Sequence, residues 1–146
     1  MIEARYEAAS IVTKEKLWVT GGIYFSSLDE YGWQLDRKIL STTEYIGLDG
    51  KVEPGEPLPS AKHGHCMAPV LKAKNAKTEI DQTFIIGGYH TFYKDITSST
   101  WIFDHSSKTY KENLPNMKEF RKSLGCATFY SKGHNRRPIL IAAGDS

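Results

Sequence analysis

Leu17-Trp18-Val19-Thr20-Gly21-Gly22 is a short apolar run that stops at a pair of glycines. It returns as Thr83-Phe84-Ile85-Ile86-Gly87-Gly88, and again as Ile139-Leu140-Ile141-Ala142-Ala143-Gly144, where Ala-Gly replaces the pair. Gly22, Gly88 and Gly144 recur at a period of roughly 55 to 65 residues, the mark of an array of like supersecondary units. A run of this length reads as a strand buried on both faces. Glycine at its end frees the backbone for positive φ and for close approach to a neighbour.

The surroundings of the first two copies repeat as well. In the first unit Arg5 to Val12 reads as a strand, turning through Lys14-Glu15-Lys16 into Leu17–Gly22. A long connection, Ile23 to about Leu40, leads to the alternating strand Thr42–Ile46. Asp49-Gly50 predicts a two-residue hairpin loop. Lys51-Val52-Glu53 begins the return strand, which Pro54, Pro57 and Pro59 end because proline cannot donate to a ladder. In the second unit the strands are His65–Leu71, Thr83–Gly88, Thr100–Phe103 and Thr109–Glu112, with a charged connector at Lys72–Asp81 and a turn at His105–Lys108. The third unit offers two strands, Leu124–Tyr130 and Ile139–Ala143. No segment has a sustained 3.6-residue apolar period, so no long helix is expected.

Composition narrows the function classes. With 146 residues, 40% hydrophobic and 25% charged, the chain reads as one ordinary globular domain. A net charge of +2 is too small to argue for nucleic acid. No apolar run approaches the ~20 residues of a membrane helix. The start, Met1-Ile2-Glu3-Ala4-Arg5, lacks the apolar core of a signal peptide, and no Asn-x-Ser/Thr sequon occurs. Cys66 and Cys126 sit in Gly64-His65-Cys66 and Leu124-Gly125-Cys126, which read as the same place in successive units. Equivalent places are expected to lie beyond the ~7 Å that a disulfide spans. Two buried free thiols are therefore expected, which favours a reducing, cytoplasmic setting.

Four short antiparallel strands per unit at this period describe a β-propeller blade. The sequence resembles a kelch repeat protein. The resemblance rests on Gly21-Gly22, Gly87-Gly88, the third-strand segments ending near Tyr45 and Phe103-Asp104, Tyr110 four residues before Leu114, and Arg121 ahead of Gly125. The kelch pattern has Trp where Tyr110 stands, Arg near Lys62, and Gly-Gly where Ala143-Gly144 stands. The expected fold is all-β: about two and a half kelch-type blades, each a four-stranded antiparallel sheet, in a ring this chain alone does not close. Blade one spans about 5–60, blade two about 61–122 and a partial blade three about 123–146. Open blade faces and strand edges would need covering. The cover would be the remaining blades of a longer chain or a self-associated copy.

Candidate chemistry is sparse. His63-Gly64-His65-Cys66 holds ligand-type residues, and in a strand His63 and His65 would share a face. No second ligand cluster completes a four-ligand metal site, so a buried polar strand position is the better reading. The glycine pairs lack phosphate-loop spacing, and no Gly-x-Ser-x-Gly nucleophile motif occurs. No cofactor, metal or catalytic residue is assigned. What remains is a face gathering loop aromatics, Tyr24, Phe25, Tyr31, Trp33, Tyr89, His90, Phe92 and Tyr93, with Lys62, His63, Lys118, Arg121 and Lys122. Aromatics and Arg are enriched at protein interfaces. The kelch resemblance implies a non-catalytic protein-interaction module. If the aromatic and basic loops form one face, the expected partner is an acidic, extended protein or peptide segment whose carboxylates meet Arg121 and Lys62. The alternatives are part of an enzymatic propeller, oxidase-like or sialic-acid-processing, or a truncated fragment without independent function.

Overall fold

The computed structural model describes residues 1–13, 16–25, 31, 37–71, 80–91, 95–111, 115–130 and 138–145, with only the backbone at Lys122, Tyr130 and 138–140. The fold is all-β. Sheet I joins β1 (Ala9–Thr13), β2 (Lys16–Thr20), β5 (Thr43–Gly47) and β6 (Val52–Pro54) in that order. Sheet II joins β7 (Cys66–Leu71), β8 (Ile80–Ile86), β9 (Thr100–Asp104) and β10 (Thr109–Lys111) in the same order. All pairings are antiparallel. The two apolar–Gly-Gly runs thus form the second strand of each four-stranded sheet. A hairpin of β11 (Lys122–Tyr130) and β12 (Pro138–Asp145) follows. The sheets do not close into a ring among the described residues.

Two connections differ from the sequence reading. The stretch from Ile23 to Leu40 contains its own two-stranded ladder, β3 (Ile23–Phe25) on β4 (Arg37–Ile39). The β5–β6 turn is a three-residue loop, Leu48-Asp49-Gly50. Gly47 N donates to Lys51 O at 2.8 Å and Gly50 stands at φ 80°. Its register is fixed by an αL glycine after a turn rather than by a two-residue loop. Residues 72–79 of the charged connector lie outside the described residues.

Three short segments lead into the first strands and set the common register: Arg5-Tyr6-Glu7-Ala8-Ala9, Lys62-His63-Gly64-His65-Cys66 and Arg121-Lys122-Ser123-Leu124-Gly125. Each opens on a cation, and each third residue has positive φ, at Glu7 (53°), Gly64 (60°) and Ser123 (48°). The cations donate to equivalent carbonyls. Arg5 Nη1 reaches Gly21 O at 2.9 Å, Lys62 Nζ reaches Gly87 O at 3.4 Å, and Arg121 Nη1 reaches Gly144 O at 2.9 Å. The second glycine then donates forward to the next cation's backbone: Gly22 N to Lys62 O at 2.8 Å, and Gly88 N to Arg121 O at 3.1 Å. Each glycine pair therefore accepts from its own unit's cation and donates to the next unit's.

This register corrects the alignment of the third unit. Gly144 corresponds to the first glycine of a pair, not the second, and Asp145 stands at the second. Gly125 pairs with Ala143 as Cys66 pairs with Ile86 and Ala9 with Thr20. Cys126 therefore corresponds to Met67, not Cys66. A one-residue shift moves a strand residue to the opposite face. Cys66 points onward from sheet II, Cys126 points back, and they form a disulfide with Cα atoms 6.0 Å apart. The expected free thiols are thus corrected, and with them the thiol argument for a reducing compartment.

The core has two layers. Ala9, Trp18 and Leu58 from unit one meet Met67, Ile85, Trp101 and Phe103 from sheet II. Trp18 is fully buried, with the Phe103 ring centroid at 4.7 Å and Tyr45 at 5.8 Å. Tyr110 packs on this layer, and its hydroxyl donates to Glu56 O at 2.8 Å. On the other face of sheet II, Cys66, Ala68, Phe84 and Ile86 take Leu124, Cys126 and Ala142 of the hairpin. Thr128 Oγ1 donates to Pro69 O across the same gap.

Candidate functional site

Antiparallel pairing puts the connections between second and third strands, and those between sheets, at one end of the molecule. The sequence-predicted face lies at this end, where the glycine pairs and cations interlock. The structure sorts its residues.

Lys62 does not present its charge. It is fully buried, its Nζ lies 3.9 Å from the centroid of Trp101, and it donates to Gly87 O and, at 3.3 Å, to Ser99 Oγ. Lys62 is therefore corrected from a partner-facing cation to an internal one, which the Trp101 ring and carbonyl dipoles stabilise. Arg121 is half-buried. Its guanidinium spans Gly144 O and the Glu119 carboxylate, the latter at 2.8 Å. The counterpart, Arg5, donates to Gly21 O, to Thr42 O at 2.8 Å and to the buried Glu44 carboxylate. Burial alone would raise the Glu44 pKa. Hydrogen bonds from Ile2 N (2.8 Å) and Glu3 N (3.1 Å), with Arg5, hold it below the ordinary carboxylate value.

His63, Tyr89 and His90 do come together. His63 forms a bridge with Tyr89, and their rings stack at 5.0 Å. His63 Nδ1 lies 2.7 Å from Glu7 Oε2, and Nε2 lies 3.2 Å from Thr91 O. His90 Nδ1 donates to Ala61 O at 3.0 Å. His63 and His65 do not share a face as a regular strand would place them, because Gly64 between them has positive φ. The His65 ring instead enters the core beside Thr20 Oγ1, 2.8 Å from Nε2. Burial, reinforced by Lys62 and His63, pushes its pKa down to about 3, so the ring is neutral at pH 7.

Of the aromatics, Tyr24 and Phe25 are half-buried in β3, with Phe25 stacked on Tyr6 at 4.7 Å. Tyr31 is 78% exposed. Trp33, Phe92 and Tyr93 lie outside the described residues. Sequence reasoning missed Phe120, which is 61% exposed beside Arg121. Its signal was an apolar ring set among Lys118, Glu119, Arg121 and Lys122. Among the described residues no group of three or more His, Cys, Asp or Glu is placed to hold a metal ion. Comparison of the chain with protein-family models and with curated proteins returns no match.

The buried lysine has a pH signature. Burial pushes the Lys62 pKa down to about 8, below its unfolded value. Above pH 8 the unfolded chain holds the proton more strongly than the folded one, so stability rises with pH. The window closes near pH 10. There Tyr45, pushed up to about 12 by burial, and Tyr110, also raised, stay protonated folded while ionising unfolded, and stability falls. Between pH 8 and 10 denaturant unfolding should show a gain of about 2 kcal/mol that Lys62→Met abolishes. The same rise in that variant would mean Lys62 is not the buried titrating group.

Proposed function

We propose that the chain is part of a kelch-type β-propeller and acts as a non-catalytic protein-interaction module whose contact surface is the glycine-pair end. The observation that carries this reading is the repetition of one four-stranded unit under one latch, which directs the β3–β4 ladder, the loop after Tyr89 and the segment before Arg121 to the same end. Rigid sheets that hold loops at one end suit recognition. Tyr31 and Phe120 are large rings exposed there, of the kind that anchor interfaces. The partner is a protein or peptide that offers apolar side chains to these rings. An acidic partner would meet the exposed Lys118 rather than Lys62.

The test compares the proteins captured by wild type, by a Tyr31→Ser, Phe120→Ser double variant, and by Leu48→Ser. Leu48 is 90% exposed at the β5–β6 turn, the opposite end. The double variant should lose at least tenfold in capture of a specific partner, while Leu48→Ser retains it. Equal capture by all three proteins would remove this end from consideration.

A further inference from the structure

The lead-in of sheet II places the buried His63 ring between two hydrogen-bond acceptors. Nδ1 lies 2.7 Å from Glu7 Oε2, and Nε2 lies 3.2 Å from Thr91 O. An ionised carboxylate and a backbone carbonyl only accept, whereas a neutral imidazole has one N–H to donate and its cation has two. Only the imidazolium therefore makes both bonds. The Tyr89 ring stacks on His63 at 5.0 Å and holds its plane between the two oxygens. The acceptors belong to different parts of the chain. Glu7 is in the unit-one lead-in, where its own carbonyl accepts from Gly64 N at 3.0 Å. Thr91 is at the root of the loop joining β8 to β9, and its Oγ1 accepts from Asp95 N at 3.3 Å. The two bonds of the ring are unequal. The Nδ1 bond is the shorter and runs to a charge, and charge-assisted bonds are roughly twice as strong as neutral ones. When the ring is neutral, its one proton therefore belongs on Nδ1, and the Nε2 lone pair is left facing the Thr91 carbonyl.

We propose that His63 is a proton-operated clasp: as the imidazolium it ties Glu7 to the Thr91 carbonyl, and on losing a proton it keeps Glu7 and releases Thr91. Histidine is the side chain whose charge ordinarily changes between pH 5 and 8. Among the described residues, the other titratable groups on the elements around the ring are Lys62, His65, Tyr89, His90 and Asp95. Lys62 turns inward to Trp101, and His65 is neutral in the core. A phenol keeps its proton over this range and a carboxylate stays ionised. His90 is a second imidazole in the same loop, with Nδ1 donating to Ala61 O, and substitution separates it from His63. The loop whose root is held lies at the glycine-pair end, so acid fixes that connection and neutral pH loosens it. The clasp rests on these bonds alone and stands whether or not that end binds a partner.

The test is nitrogen and carbonyl NMR of isotopically labelled protein across pH 5 to 8, on wild type, Glu7→Gln, His63→Gln and His90→Gln. In wild type both His63 ring nitrogens should carry protons at the acid end, and Nδ1 alone at the other. The Thr91 carbonyl carbon should shift with the same midpoint. His63→Gln should abolish that shift, and His90→Gln should keep it. Glu7→Gln replaces a group that only accepts by one that also donates. Its neutral His63 should therefore carry the proton on Nε2, and the Thr91 carbonyl should no longer shift. The Glu7 side chain is half exposed, so this variant decides the point even if His63→Gln fails to fold. A wild-type neutral ring protonated on Nε2, or a ring whose charge does not change across the range, would overturn the proposal. So would a Thr91 shift that survives in His63→Gln or Glu7→Gln, or one that disappears in His90→Gln.

Discussion

Reducing the Cys66–Cys126 disulfide is expected to lower the unfolding free energy by about 4 kcal/mol, the chain-entropy value for closing a loop of this length. The cysteines are 60 residues apart in sequence, and the loop between them contains the whole of sheet II. Opening it frees the unfolded chain of that constraint and leaves the hairpin held by Leu124, Ala142, the Gly88–Arg121 backbone bond and the Thr128–Pro69 bond. Urea unfolding with and without a reductant measures the difference. The Cys66→Ala, Cys126→Ala double variant should reproduce the reduced protein and no longer respond to reductant. A midpoint unmoved by reduction would mean that the link contributes nothing to holding the hairpin on sheet II.

Gly88→Ala is expected to cost at least about 3 kcal/mol, because strain and collision act together. Gly88 has φ 92°, and an added Cβ would lie 2.5 Å from His63 O and 2.9 Å from His65 N, both backbone atoms of its own unit's lead-in. Neither can retreat without loosening the Gly88 N to Arg121 O bond or the His63–Tyr89 bridge. Two controls separate the causes. Gly50 has φ 80° but open space around it, so Gly50→Ala reports strain alone, about 1–2 kcal/mol. Gly125 also has open space and no positive φ, so Gly125→Ala should be neutral or gain up to about 1 kcal/mol. A Gly88→Ala cost no greater than that of Gly50→Ala would show that the His63–His65 lead-in does not approach Gly88 so closely.

The strands of sheets I and II were legible in the sequence because apolar runs bounded by glycine, proline and charged turns leave few other readings. β3 and β4 were not, since Ile23-Tyr24-Phe25 and Arg37-Lys38-Ile39 are too short to show a period and pair across a long gap. The third unit was placed one residue off because Ala143-Gly144 was matched to a glycine pair. The better marker was the constant spacing from cation to first strand residue: Arg5 to Ala9, Lys62 to Cys66, Arg121 to Gly125. That slip hid the disulfide, since only the corrected register turns Cys66 and Cys126 toward each other. At the candidate site, the His63–Tyr89–His90 grouping follows from unit order. The burial of Lys62 does not, because Gly87, Ser99 and Trp101 surround it from 25 to 39 residues downstream.

The most direct measurement of the shared register is a second, engineered disulfide. Ala9 corresponds to Cys66, Met67 corresponds to Cys126, and both lie in the layer between sheets I and II. In an Ala9→Cys, Met67→Cys variant that retains the native pair, peptide mapping without reductant should find the segments around residues 9, 66–67 and 126 joined as one cross-linked species, with no thiol open to alkylation. A free thiol at position 9 after mild oxidation, with Cys66 and Cys126 still joined, would contradict the register and with it the repeated latch.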